Sequence, residues 1–66
     1  MQIQLNGQPQ TFDDGTTVAE VLQRNGYSDR RVAVEINQAI VPRSLHLSQR
    51  LADGDRMEIV QAMGGG

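Results

Sequence analysis

Apolar residues occupy every second position near both ends of this chain, and fall at helical spacing in one stretch between. Met1, Ile3 and Leu5 alternate with Gln2 and Gln4, and Val32, Val34 and Ile36 alternate with Ala33 and Glu35. Met57 and Ile59 flank Glu58 in the same way. A period of two predicts strands with one face buried. Val18, Val21 and Leu22 instead form the stripe of a helix. Thr17 is placed to cap it, and Glu20 three positions on completes a capping box. Asn25-Gly26 ends it, since glycine accepts the left-handed conformation found past helix ends. A helix of about two turns needs a sheet behind it to persist.

The punctuation fills in the remaining elements. Asn6-Gly7 tolerates positive φ at both central positions of a tight hairpin turn. It predicts that a strand from Gln8 to Phe12 pairs back on Met1 to Leu5. Pro9 confines that second strand to a sheet edge or a strand's beginning, because proline cannot donate to a ladder. Asn37-Gln38 turns the Val32–Ile36 strand into Ala39-Ile40-Val41, which Pro42 stops. Ser44 to Leu51 reads either as a loop or as a single helical turn anchored by Leu45, Leu47 and Leu51. Asp53-Gly54-Asp55 is a turn, and Arg56 to Ala62 is the last strand. With 66 residues there is room for one core. The expected fold is an α+β domain over 1–63, one mixed sheet with a helix across one face, followed by a glycine tail over 64–66. Its core is expected to comprise Ile3, Leu5, Val18, Val21, Leu22, Val32, Val34, Ile36, Met57 and Ile59.

Composition removes several functions. Phe12 and Tyr27 are the only aromatics and the net charge is -2, which suits neither base stacking nor phosphate tracking. There is no cysteine, hence no thiolate nucleophile, disulfide or zinc knuckle. His46 alone makes no metal site, and it reads as a surface or loop histidine with no acid or nucleophile near it. No basic leader or membrane-length apolar run is visible, so the expected location is the cytoplasm. Arg43, after Pro42, reads as part of a structural turn, and Arg30-Arg31 as solvated. Asp53 and Asp55, flanking a glycine, read as turn caps.

Gly64-Gly65-Gly66 has no packing rationale. Glycine offers no side chain and loses the most entropy on ordering, so this segment is expected to be free. Extended, three residues reach about 10 Å, as a thread narrow enough for a channel that would exclude any Cβ.

Asn37-Gln38-Ala39-Ile40-Val41-Pro42-Arg43, then Asp53-Gly54-Asp55 and the final Gly65-Gly66 together resemble the thiamine-biosynthesis sulfur carriers, the ThiS family of ubiquitin-like β-grasp domains. The resemblance runs the full length, although this chain ends in three glycines where the minimal family ending has two. It implies that the chain is not itself an enzyme and binds no cofactor. A partner related to ubiquitin-activating enzymes would consume ATP to adenylate the Gly66 carboxylate. Sulfur from a donor of the cysteine desulfurase type would convert it to a thiocarboxylate, and thiazole synthase would take the sulfur. Gly64 and Gly65 would thread the partner's site, while Val60, Ala62 and Met63, off the buried face of the last strand, would dock on it. The absence of lysine fits a chain that must not capture its own activated end. The same fold also serves carriers for molybdopterin or another sulfur-containing metabolite, and ubiquitin-like modifiers.

Overall fold

The computed structural model describes residues 1–28 and 30–61. Five strands and one α-helix follow in the order β1 (Gln2–Leu5), β2 (Gln8–Thr11), α1 (Val18–Arg24), β3 (Val32–Ile36), β4 (Ala39–Val41) and β5 (Arg56–Gln61), with a 3-10 turn at Arg43–Leu45. The sheet order is β2-β1-β5-β3-β4. The first and last strands lie parallel side by side, and every other pairing is antiparallel. Helix α1 packs its Val18, Val21 and Leu22 stripe into the core formed with the sheet. This is the mixed sheet with one packed helix that the alternation and the capping box predict, and the β-grasp architecture that the family resemblance implies.

Local chemistry explains each element. Thr17 caps α1 by accepting from the Glu20 N–H, and the Glu20 carboxylate accepts from the Thr17 N–H at 2.9 Å. The Thr17 backbone and hydroxyl bonds hold the Glu20 carboxyl below its ordinary range. At the hairpin between β1 and β2, Asn6 and Gly7 adopt φ values of 49° and 82°, as a type I′ turn requires. Proline at position 9 sits on the outer strand, where its missing N–H costs nothing.

The core contains the expected residues, with Val32 only partly buried, and adds Phe12, Val41 and Leu51. Of the three leucines offered as anchors after Pro42, Leu51 is buried, whereas Leu45 and Leu47 are exposed. His46 is not on the surface. It is buried, its Nε2 3.1 Å from the Val41 carbonyl, and its own carbonyl accepts from the Ala19 N–H in the first turn of α1. The 3-10 turn that it closes, bonded to the start of α1, is a tertiary feature invisible to periodicity. Arg43 is exposed and opens that turn, its carbonyl accepting from the His46 N–H.

Candidate functional site

Strand β5 runs through the centre of the sheet and leads directly into the C-terminal segment. Its odd residues Met57 and Ile59 are buried, so Arg56, Glu58 and Val60 point to the face that the helix leaves open. Val60 is 58% exposed there, as the sequence predicts. Ala62, Met63, Gly64, Gly65 and Gly66 lie outside the described residues.

Register brings further side chains to this open face. Ala33 stands opposite Val60, and Glu35 stands opposite both Glu58 and Ile40. Ile40 is 75% exposed. The face therefore combines aliphatic positions 33, 40 and 60 with two carboxylates paired across strands, an arrangement that is unfavourable for the isolated sheet. Of the described residues on this face, sequence reasoning singled out Val60 alone. The alternation of β3 and β4, followed outward instead of inward, would have found Ala33, Glu35 and Ile40.

Arg56 sits between two shallow hollows at the start of β5. One, of about 350 Å³, is lined by Asn37, Gln38, Arg56 and Glu58. The other, of about 180 Å³, is lined by Gln4, Gly7, Arg56, Met57 and Glu58. Among the described residues the one ion pair joins the N-terminal amine to Asp14, leaving Arg56 without a carboxylate within 4.0 Å.

This end of β5 is tied down by polar side chains. The Asn37 amide donates to Asp55 Oδ1 at 3.0 Å, and its Oδ1 accepts from the Arg56 N–H at 3.0 Å. Asp55 Oδ2 accepts from the Ala52 N–H at 2.8 Å, and Asp53 Oδ1 accepts from the Gln2 N–H at 2.7 Å. Asp55 therefore caps its turn as expected, whereas the Asp53 side chain reaches across to the first strand, and the turn is bonded both to that strand and to the β3–β4 hairpin. The central strand thus starts from a fixed point.

The β3–β4 hairpin turn is left-handed at two residues that are not glycine, Asn37 (φ 52°) and Gln38 (φ 71°). Asparagine tolerates this conformation, and here its side chain is bonded at both ends. Glutamine carries a cost of about 1–2 kcal/mol in that region. Gln38→Gly is accordingly expected to stabilise the domain by about 1 kcal/mol, less than the full strain because glycine gains unfolded-state entropy. Thermal or urea unfolding reads this directly, and a destabilised variant would show that the Gln38 side chain holds the turn.

No group of three or more His, Asp or Glu side chains that could hold a metal occurs among the described residues. No helix among them is long and apolar enough to cross a membrane.

Comparison with known proteins places this geometry. The chain is 41% identical over 66 residues to a thiazole synthase of Paramagnetospirillum magneticum, covering all of this chain and 20% of that one. A second thiazole synthase, from Magnetococcus marinus, is 39% identical, and the chain spans a fifth of each of these longer relatives. The sulfur carrier protein ThiS of Escherichia coli is 36% identical, with full coverage of both chains. A crystal structure of a thiamine biosynthesis protein (ThiS) from Geobacter metallireducens superposes with a TM-score of 0.83 at 32% identity, covering 100% of each chain. The family model described as the ThiS family matches residues 3–66. With the family model covering residues 3–66 and a full-length relative at 36% identity, this chain belongs to the ThiS family.

Proposed function

We propose that this protein is a sulfur carrier for thiamine biosynthesis that works as a substrate of other enzymes, with Gly66 as the reacting residue. The observation that carries the reading is the family membership over residues 3–66, joined to a central strand that leads into Gly64-Gly65-Gly66. A carboxylate resists nucleophiles because of its charge and resonance. An adenylating enzyme related to ubiquitin-activating enzymes overcomes this with ATP: a Gly66 carboxylate oxygen attacks the α-phosphorus and pyrophosphate leaves. The resulting acyl-adenylate is a mixed anhydride. A sulfide equivalent then attacks the acyl carbon, AMP departs, and a thiocarboxylate remains. Supply of that sulfur by a donor of the cysteine desulfurase type, and its delivery to thiazole synthase in the cytoplasm, complete the scheme. Occurrence of the same segment within longer thiazole synthase chains supports the last partner. The open face bearing Val60, with Ala62 and Met63 beyond it, is the surface assigned to docking, and Gly64 and Gly65 thread the partner's site. The carrier needs no cofactor of its own.

Intact mass after incubation with the adenylating enzyme, ATP and sulfide tests this. Exchange of one oxygen for one sulfur is the expected result. Isopeptide-linked products would make the chain a modifier, and an unchanged mass would overturn the carrier reading.

A further inference from the structure

We propose that the end of β5 is an open strand edge that receives an extended main-chain segment of the adenylating partner. This rests on the carrier reading above. Odd and even residues of β5 send their backbone groups to opposite neighbours. Toward β1, the Gln4 N–H bonds the Asp55 carbonyl and the Asn6 N–H bonds the Met57 carbonyl, both at 2.9 Å. Toward β3, the Asn37 N–H bonds the Arg56 carbonyl at 2.7 Å. The two sides differ in length. Pairing with β3 continues to Val32 opposite Gln61, whereas pairing with β1 stops at Leu5 opposite Met57, where the chain turns.

One group past that end is covered by a side chain: the Ile59 N–H donates to Asn6 Oδ1 at 2.8 Å. The next groups on the same side are the Ile59 carbonyl and the Gln61 N–H. No described residue bonds either of them from that side. The slot is therefore bounded at one end by Asn6 and flanked by β5 along its length to Gln61.

The other sheet edges are protected and this one is not. Strand β2 carries Pro9, and β4 is three residues long and closed by Pro42; both are common devices against edge pairing. The overhang of β5 has neither. Pairing with β3 already holds it extended, so a partner strand meets an ordered template. Donors and acceptors along such an edge call for another main chain at strand spacing, the geometry of strand addition. A protein that holds the Gly66 carboxylate lies within about 17 Å of Gln61 along the chain, which makes that protein the occupant.

The test is the Gln61→Pro variant. Its missing N–H lies on the side away from β3, so the β3 ladder and the unfolding midpoint should survive. The KM for this chain in the adenylation reaction should rise about tenfold, as expected for one lost intermolecular hydrogen bond whose partner group is left unpaired. An N-methyl-Gln61 chain made by total synthesis carries the same loss without the proline ring and should behave alike. If the wild-type chain is not adenylated at all, the carrier reading fails and takes this inference with it. If wild type and both altered chains share one KM, the edge alone is overturned. A dimer that both alterations dissociate, with KM unchanged, would overturn it in favour of a second copy of this chain.

Discussion

Deletion of Gly66 should abolish adenylation while leaving the thermal midpoint where it is. The deletion draws the carboxylate back by one residue, about 3.3–3.6 Å along an extended chain. In-line attack on a phosphorus atom does not tolerate such a shift, because a misplacement of about 1 Å already costs on the order of a hundredfold in rate. The expected loss is therefore at least about a hundredfold in single-turnover adenylation, with no compensating gain from substrate concentration. Glycine has no side chain to add to a core whose described members run from Ile3 to Ile59, so the midpoint is expected to hold. Adenylation of the shortened chain at the wild-type rate would move the reacting carbon to Gly65 and refute the assignment. A lowered unfolding midpoint would show that the end of the chain packs on the domain.

The second large effect is on stability. Met57 is fully buried in the central strand, between β1 and β3. Met57→Ala should cost about 2–5 kcal/mol, the range for removing a large apolar side chain from a packed core. A domain of this size is expected to hold only roughly 3–10 kcal/mol in total. At about 4–8 °C per kcal/mol for small domains, the midpoint should fall by at least about 8 °C. Met57→Leu, which nearly conserves volume, should cost less than about 1.5 kcal/mol. Urea unfolding of the two variants checks both values. A loss below about 1 kcal/mol for Met57→Ala would mean the core closes over the gap.

Much of this architecture is legible in the residues because local chemistry and tertiary structure agree. The capping box at Thr17 and Glu20 forms as written, and the Asn6-Gly7 pair makes the turn that its φ freedom suggests. Burial follows the alternation of β1, β3 and β5. Where the reading fell short, the cause was non-local. Phe12 and Leu51 lie outside the regular elements, so periodicity carries no information on their burial. His46 is buried in a connecting segment whose backbone bonds the start of α1, and a carbonyl five residues back meets its ring. Leu47, as apolar as Leu51, is 84% exposed, since nothing in a connecting segment fixes which leucine turns inward. At the candidate site, Val60 was legible from β5 alone. The flanking Ala33, Glu35 and Ile40 required register, which adds β3 and β4 to the same face.

The position of β5 also bears on how the protein is made. The β1–β2 hairpin and the β3–β4 hairpin touch the rest of the sheet only through this strand, which is the last of the five to be synthesised. An isolated hairpin is marginally stable in water at best. A nascent chain therefore has two hairpins and a short helix with no lasting partner until residues 56–61 leave the ribosome. Closing the sheet then joins the first strand to the last, a contact of long sequence separation that favours slow folding. Until then the apolar faces of both hairpins stay open to chaperones and proteases.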